Sequence, residues 1–337
     1  MLLRGRLLRA AIPLQVACFS TSTSPKWWEW SRLASWFTST QPSEPVPQDV
    51  EPKTCVFIDG NNMLYAKFSP TCTLASNGVA IGATLGFLHE LHKVVDKMKP
   101  HRVCVFFDTP VITQRKKEDP TYKAKRERMG DALRRQFPLT GSVLKSLAVP
   151  VVQVPGVEAD DMIASYTKAS LESGFNVIVV SNDSDFFQLV QSNASPTVSL
   201  YKFRTRWLMG QDEVLQLIGG TSPRLHPDLR ALRGDQWGKT PGLPGGISKE
   251  LAVELLETAG GLLPLLESLD NVQDEALRNR LHASTDMLKR SYRASKLDDS
   301  LALPIPLQDF AMGRVNQAGL ALLLTDPTLV KTHALEV

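Results

Sequence analysis

Seven acidic residues stand where predicted buried strands end or a predicted helix begins: Asp59, Asp108, Glu158, Asp160, Asp161, Asp183 and Asp185. Carboxylates gathered at one place repel one another, and they are costly to desolvate unless positive charge compensates them. Mg²⁺ and Mn²⁺ suit this role, because hard cations take oxygen ligands and keep water for chemistry. The residue types and their positions therefore predict a divalent-metal site.

The motif Glu158-Ala-Asp160-Asp161 opens a predicted helix, so Glu158 and Asp161 share one helical face while Asp160 points elsewhere. Acids at a helix start also complement the helix dipole, and alone this motif is more often a cap than a set of metal ligands. Asp183 and Asp185 follow a strand about twenty residues later, and two further strands end in aspartate. Together these patterns favour the ligand set.

Elements of two kinds must position these acids. Apolar strands predicted at 54–58, 103–107, 150–153 and 177–181 alternate with helices near 80–98, 130–147 and 158–172. This alternation predicts an α/β fold with a parallel sheet and helices on both faces. Acids at the carboxyl ends of such strands lie where open α/β sheets bind ligands. After about Met209 the strands cease and the chain is predicted to be helical to about Ser295.

The amino-terminal segment differs in composition from the rest. Its first acid is Glu29, after Arg4, Arg6, Arg9 and the hydroxyl run at 20–24. A basic, serine-rich and acid-free leader predicts a mitochondrial presequence, with a secretory signal as the alternative. We expect residues 1–52 to be presequence and linker and the mature protein to lie in the mitochondrial matrix. No other segment approaches the roughly 20 apolar residues of a membrane span.

Composition narrows the function classes. The chain has 337 residues and a net charge of only +3, so any nucleic-acid contact must come from local clusters. The four cysteines have no CxxC spacing, which excludes a zinc site or a disulfide framework of the usual pattern. Cys55 and Cys104 are predicted to be buried strand thiols.

A basic cluster follows the strand that ends at Asp108. It contains Arg115, Lys116, Lys117, Tyr122, Lys123, Lys125, Arg126, Arg128, Arg134 and Arg135. A solvated helix face explains many such runs. Here the cations would overhang the acidic site and could hold a phosphodiester that the acids alone repel. Tyr122 could stack on a base.

A glycine-rich hairpin at 241–248 leads into a predicted helix that continues to Leu256. Free backbone N–H groups at such a helix start suit an anion. A plain helix-turn-helix packing unit is the alternative. Beside a metal-dependent nuclease centre, a nonspecific grip on a duplex backbone is the better interpretation.

In this order the motifs resemble the 5′-nuclease family, and most closely the 5′-to-3′ exonuclease domain of bacterial DNA polymerase I. The resemblance runs from about Val56 to Leu266. It is carried by the motifs at 57–61, 106–108, 122–123, 154–161, 181–189 and 229–235.

The resemblance implies a PIN-like catalytic domain at 53–210, a basic arch at about 111–135 and a helix-three-turn-helix region at 211–295; residues 296–337 stay unassigned. It implies two Mg²⁺ or Mn²⁺ ions that hydrolyse a phosphodiester. The first would be held by Asp59, Asp108, Glu158 and Asp160, and the second by Asp161, Asp183, Asp185 and Asp235. Arg115, Lys123 and Arg126 would contact the scissile phosphate. The duplex-binding hairpin would use Gly245, Gly246, Ile247, Ser248 and Lys249, with a K⁺ ion as a further expectation.

One departure from the family pattern affects the second metal. The family usually has Gly-Asp-x-x-Asp-Asn, whereas this chain has Gly234-Asp235-Gln-Trp-Gly238-Lys239. One carboxylate is absent and a cation stands beside its position. We expect the second metal to bind more weakly, with Lys239 either replacing part of its charge or facing solvent.

These features predict a stand-alone 5′-3′ exonuclease or flap endonuclease that acts on branched DNA or RNA–DNA hybrids. In mitochondria it would remove flaps and RNA primers during DNA replication or repair. The first alternative is a catalytically silent protein that binds branched DNA. The second is a PIN-type ribonuclease, which shares the acids but usually lacks the hairpin. The sequence indicates no protein partner.

Overall fold

The computed structural model describes residues 53–69, 75–76, 79–120, 122, 129–193, 195–235 and 240–311. The predicted presequence and linker lie outside these residues. So do the arch cations Lys123 and Arg126, the family departure at Gly238 and Lys239, and residues 312–337.

A six-stranded sheet carries the acidic residues. Its strands are β1 (Thr54–Asp59), β4 (Arg102–Phe106), β5 (Val151–Val152), β6 (Asn176–Val180), β7 (Val198–Lys202) and β8 (Trp207–Met209). Their order across the sheet is β5-β4-β1-β6-β7-β8. The first five are parallel and β8 runs antiparallel to β7. A separate hairpin pairs β2 (Ala75–Ser76) with β3 (Val79–Ala80).

The four predicted strands are confirmed to within two residues, but β7 and β8 were not predicted. Among the described residues between β6 and β7, the one helical element is a short 3₁₀ helix, Asp185–Leu189, so this connection lacks the long helix that separates the other parallel strands. Strand β8 has three residues, which are too few to show a recognisable alternation of apolar and polar residues.

Helices cover both faces of the sheet, as predicted. They are α1 (Gly60–Lys67), α2 (Gly82–Met98), α3 (Gln114–Glu118), α4 (Asp131–Arg134), α5 (Gln136–Ser146) and α6 (Ala159–Glu172). The helix predicted near 130–147 is divided at Arg135 into α4 and α5. Helix α1 was not predicted. It begins at Gly60, where an added Cβ would lie 2.7 Å from the carbonyl oxygen of Phe106, so only glycine lets α1 start directly after Asp59.

Alternate residues of β1 enter different apolar layers. Cys55 and Phe57 pack with α6, whereas Val56 and Ile58 pack with α2 and α5. Strand residues point alternately to the two faces, and a parallel sheet covered on both faces buries them all. Cys55 and Cys104 are buried free thiols, as predicted.

The second half of the chain is helical, as predicted. It contains α7 (Gln211–Ile218), α8 (His226–Arg233), α9 (Lys249–Ala259), α10 (Leu262–Glu267), α11 (Glu275–Ala283) and α12 (Thr285–Ser295). Its apolar residues, among them Leu229, Leu256 and Leu288, extend the layer that begins at Phe57. Within the described part of the chain, every helix is too short or too polar to cross a bilayer.

Residues 296–311, which the sequence left unassigned, return to the sheet. Phe310 is fully buried, with its ring centroid 4.7 Å from Tyr166, 6.1 Å from Phe57 and 6.3 Å from Phe106. The Tyr166 hydroxyl donates to the carbonyl oxygen of Ile305 at 2.7 Å. This segment therefore fastens the helical region onto the α/β domain.

Removing the Phe310 ring tests that fastening. We expect Phe310→Ala to lower the free energy of unfolding by about 3–5 kcal/mol, because a buried aromatic ring is lost from a packed cluster. Urea denaturation measures the change, with the partly exposed Leu263→Ala as control. A loss below about 1 kcal/mol, the level of an ordinary surface change, would show that this segment is dispensable.

Candidate metal centre and nucleic-acid interface

Three aspartates meet at the carboxyl edge of the sheet. Asp59 ends β1, Asp108 lies two residues after β4 and Asp183 lies three residues after β6. Because β1 stands between β4 and β6, these are neighbouring strand ends. The strand pattern predicted this juxtaposition.

Asp59 is the most buried of the three, with 4% of its surface exposed. Its Oδ1 accepts from the backbone N–H of Asn62 at 2.9 Å, and its Oδ2 accepts from the Ser181 hydroxyl at 2.8 Å. Burial raises the pKa of Asp59 to about 7, and the charges of Asp183 and Asp108 add to the rise against the lowering effect of the two hydrogen bonds. An ionised Asp59 is therefore short of positive charge.

Asp108 joins the end of β4 to the starts of α1 and α6. Its Oδ1 accepts from the backbone N–H of Ala159 at 2.8 Å, and its Oδ2 accepts from the side-chain amide of Asn61 at 3.2 Å. The Asn61 side-chain oxygen accepts in turn from the Asp108 backbone N–H at 2.9 Å. The Asn61 side chain and the Asn62 backbone N–H thus orient the two acids, a role that the sequence did not reveal.

Arg115 pairs with two acids at the start of α6, the N-cap residue Glu158 and Asp161 in the first turn. Its Nη1 lies 2.9 Å from Oε2 of Glu158, and its Nη2 lies 2.6 Å from Oδ1 of Asp161. Because both acids pair with Arg115, the prediction that the i,i+3 spacing puts them on one helical face is confirmed. Asp160 is half-buried. Burial raises the pKa of Asp161, against the lowering effect of Arg115. Arg115, predicted to contact phosphate, here compensates carboxylates.

Tyr122 and the carboxyl-terminal segment close this cluster. The Tyr122 hydroxyl donates to Oε2 of Glu158 at 3.0 Å, so the predicted base-stacking residue stands beside the acids. Arg115 also donates to the carbonyl oxygen of Lys296 at 2.7 Å, and the N–H of Asp298 donates to Asp161 at 2.8 Å. Residues after 295 therefore help to hold the site.

A second arginine bridges the remaining acids. Arg230, on α8, pairs through Nη1 with Asp185, and its Nη2 lies 3.3 Å from Oδ2 of Asp235. The three side chains are 20%, 20% and 10% exposed. Arg230 was not predicted to have a role, although a cation five residues before Asp235 is visible in the sequence.

These pairings govern how a metal would fit. Among the residues that the structure describes, no three acidic, histidine or cysteine side chains converge as a ready-made metal site. Arginines compensate Glu158, Asp161, Asp185 and Asp235. The three strand-end aspartates lie near enough to raise the pKa of Asp59 and contain only oxygen donors, which fits one hard cation. The assignment of eight residues to two metal sites stays a prediction.

Lys202 fixes the loop that carries Asp183. Its Nζ donates to the carbonyl oxygens of Asn182 at 2.7 Å and Asp183 at 3.1 Å. Burial lowers the pKa of Lys202 to about 8, although the Asp183 charge opposes the shift. The Asn182 N–H donates to Asn62 at 3.1 Å, so this loop is tied to α1 as well as to β7.

The glycine-rich hairpin forms as predicted, and the cations beside it bind backbone carbonyl oxygens. Gly245 and Gly246 have φ of +80° and +72°. Ser248 caps α9 by accepting from Leu251, Ile247 packs against the core, and Lys249 Nζ donates to the Leu217 carbonyl oxygen at 2.9 Å. The Arg280 guanidinium donates to the carbonyl oxygens of Pro244 and Gly246. Arg280 thus brings positive charge to the hairpin where a K⁺ ion was expected.

Two sequence families match consecutive parts of the chain within residues 54–318. Residues 54–219 match the family described as 5′-3′ exonuclease, N-terminal resolvase-like domain. Residues 221–318 match the family described as 5′-3′ exonuclease, C-terminal SAM fold. The α/β domain and the helical region described above are therefore the two parts of one known architecture.

Curated relatives agree with this match. The 5′-3′ exonuclease of Aquifex aeolicus is 30% identical over 263 residues, which are 78% of this chain and 88% of that protein. DNA polymerase I of Caldicellulosiruptor bescii is 32% identical over 257 residues, 75% of this chain. The match covers 30% of that polymerase, so this chain corresponds to one part of it.

Solved structures share the fold. The bacteriophage T5 flap endonuclease, crystallised as a variant with DNA and metal ions, superposes with a TM-score of 0.58 at 20% identity, over 73% of this chain and 90% of that one. The catalytic core of Rad2 with a DNA substrate gives a TM-score of 0.52 at 18% identity, over 84% and 90%. With both halves matched in sequence and in fold, the chain belongs to the 5′-3′ exonuclease family.

Proposed function

We propose that this protein is a divalent-metal-dependent 5′-3′ exonuclease and flap endonuclease that cleaves phosphodiester bonds in branched DNA and RNA–DNA hybrids. The observation that carries the proposal is the group of three strand-end aspartates, Asp59, Asp108 and Asp183, at the carboxyl edge of the sheet. Family membership supports the same reaction class.

Asp59, Asp108 and Asp183 would hold the cation. A bound divalent ion supplies positive charge against the phosphodiester and lowers the pKa of a water molecule. The chain prepares these acids: Ser181 and Asn62 orient Asp59, and Asn61 orients Asp108. This preorganisation limits the rearrangement needed when the substrate arrives.

Arg115 and Tyr122 would meet the substrate phosphate at the mouth of the site. Both lie against Glu158, beside the acids that the phosphate must approach. The predicted cations Lys123 and Arg126 continue the same cluster in sequence. A phosphodiester between Arg115 and the metal-binding aspartates would have its charge balanced from both sides.

We place this activity in mitochondrial DNA replication or repair, as the removal of RNA primers and flaps. The support is the acid-free leader with Arg4, Arg6 and Arg9. Fusing residues 1–52 to a fluorescent protein tests this mitochondrial localisation. Mitochondrial fluorescence is expected, and secretion of the fusion would favour the alternative signal.

A second candidate is a protein that binds branched DNA without cutting it. The specific observation in its favour is Arg230, which neutralises Asp185 and Asp235 in a chain that also has Gly238 in place of an aspartate. This candidate predicts salt-sensitive binding and no cleavage in either Mg²⁺ or Mn²⁺.

Incubating the protein with a 5′-labelled flap, an RNA-primed duplex and single-stranded RNA separates these functions. We expect cleavage of the first two in Mg²⁺ or Mn²⁺ and none in EDTA. Asp183→Asn should reduce the single-turnover rate at least about 1,000-fold, since several kcal/mol of charge stabilisation are lost. The exposed control Asp212→Asn should cut normally.

Each other outcome names a different function. Binding of the flap without cleavage in either metal ion would establish the binding protein. Faster cleavage of single-stranded RNA than of the flap would establish the ribonuclease. Undiminished cleavage by Asp183→Asn would show that the catalytic acids lie elsewhere.

A further inference from the structure

We propose that the turn between β7 and β8, residues 202–208, is a contact surface for an unpaired segment of the substrate. In this basic hairpin, Arg204 and Arg206 would bind backbone phosphates and Trp207 would stack on a base. The proposal rests on the proposed nuclease function and names a substrate contact that the motifs did not indicate.

The basic hairpin lies beside the acidic site. Lys202 is the last residue of β7, which runs parallel to β6, so the turn emerges at the same sheet edge as Asp183. Adjacent strands lie about 4.8 Å apart, which puts β8 about 10 Å from β6. A nucleic-acid strand rises about 3.4 Å per residue, so the hairpin would contact the substrate about three nucleotides from the Asp183 strand.

Anchors fix the hairpin to the catalytic loop. Phe203 is 2% exposed and packs into the core. The Arg204 backbone N–H donates to the Asn182 side-chain oxygen at 3.2 Å, and Lys202 Nζ donates to the Asp183 carbonyl oxygen at 3.1 Å. A strand bound by the hairpin would therefore be held at a fixed offset from Asp183.

The side chains that the hairpin displays are basic and aromatic. Arg204 and Arg206 are exposed, Trp207 is 44% exposed and Leu208 is 42% exposed. The sequence has no acid between Asp185 and Asp212, so three cations at 202, 204 and 206 have no acidic neighbour along the chain. Arg206 has a φ of +57°, a backbone region that glycine or asparagine usually occupies. An arginine thus occupies a backbone conformation in which a smaller turn residue is usual.

Trp207 indicates which part of the substrate binds here. In a duplex both faces of each base are already stacked, whereas an unpaired base offers a face to an aromatic ring. Directly opposed residues of an antiparallel pair project on the same face, so Trp207 shares a face with Lys202, its partner in the ladder. Lys202 reaches the Asp183 loop from that face, so a base on Trp207 would lie on the side of the acids.

Binding of a duplex with a 5′ overhang, measured in EDTA at several salt concentrations, tests the proposal. For Arg204→Gln with Arg206→Gln we expect the log–log salt slope to fall by about 1.4 and binding at 0.1 M salt to weaken about 25-fold, as for two lost single-strand phosphate contacts. Trp207→Ala should weaken binding about 5- to 150-fold, and Trp207→Phe should restore most of it.

The matched control is Lys53→Gln with Lys99→Gln, which removes the same charge from exposed residues at the opposite, amino edge of the sheet. It should leave affinity and salt slope unchanged. Equal effects of both double variants would overturn the proposal, because only net charge would then matter. Equal weakening on a blunt duplex would overturn the assignment to an unpaired segment. If the wild type neither binds nor cuts DNA, the proposed nuclease function is wrong. If the wild type binds and cuts DNA and the hairpin variants bind equally well, the nuclease function stands and only the hairpin proposal is wrong.

Discussion

Asp59→Asn is expected to stabilise the metal-free protein at neutral pH while abolishing its cleavage activity. Burial raises the pKa of Asp59 from 3.8 to about 7, so the folded state keeps a proton that the unfolded chain has already released above about pH 4. The contribution of Asp59 to the free energy of unfolding therefore falls as the pH rises from about 4 to 7. Above pH 7 the folded protein bears the full cost of a buried, ionised Asp59. A three-unit shift corresponds to a penalty on the order of 4 kcal/mol, which asparagine avoids.

Urea denaturation in EDTA at pH 5 and pH 8 measures this effect. The free energy of unfolding of Asp59→Asn should exceed that of the wild type at pH 8. At pH 5 the difference should be smaller. Adding Mg²⁺ should stabilise the wild type and leave the variant unchanged, because a ligand stabilises only the state that binds it. Asp212→Asn, on the exposed surface, should show neither effect. A stability difference that does not depend on pH would mean that Asp59 is not the strained carboxylate.

Arg230→Ala is expected to destabilise the metal-free protein by about 2 kcal/mol. The substitution removes the cation that pairs with both Asp185 and Asp235. Breaking a fully buried pair costs about 3–5 kcal/mol, and the partial exposure of these side chains reduces the figure. Mg²⁺ should return part of the loss, since the two freed carboxylates then offer a site for positive charge.

Arg233→Ala is the matched control, because Arg233 lies on the same helix and is exposed. Urea denaturation of both variants, in EDTA and in Mg²⁺, gives the comparison. The control should lose little stability in either condition. If Arg230→Ala is equally unstable with and without Mg²⁺, Arg230 is a structural ion-pair partner and no metal site lies beneath it.

The position of the acids could be predicted because it follows from backbone periodicity. An apolar run that stops at Asp59 or Asp108 fixes both the strand and the edge where its acid lies. The i,i+3 spacing of Glu158 and Asp161 likewise places them on one helical face, where Arg115 pairs with both in the structure. Local patterns of this kind need no knowledge of the tertiary fold.

The partners of the acids could not be predicted, because they come from distant parts of the chain. Arg115 reaches Asp161 across 46 residues, and the Asp298 N–H reaches it across 137. Nothing in a local pattern shows that an arginine expected to contact phosphate will also pair with carboxylates. The last segment was missed for the same reason, since the burial of Phe310 depends on aromatic rings from β1, β4 and α6.

Arginine side chains therefore compensate part of the carboxylate charge that the sequence pattern had suggested metal ions would compensate. Arg115 and Arg230 compensate four acids, and the aspartates at the ends of β1, β4 and β6 are left as the best place for a divalent ion. That the absent carboxylate at Gly238 weakens a second metal site stays a prediction. We expect activity to depend on this strand-end site, which combines Asp59 and Asp108 of the predicted first metal site with Asp183 of the predicted second.

Titration of the metal-free protein with Mn²⁺, followed by electron paramagnetic resonance of the free ion, tests that dependence most directly. We predict saturable binding by the wild type and by Asp212→Asn, and loss of that binding in Asp59→Asn. Absence of saturable binding in the wild type, or unchanged binding in Asp59→Asn, would contradict a metal centre at the three strand-end aspartates.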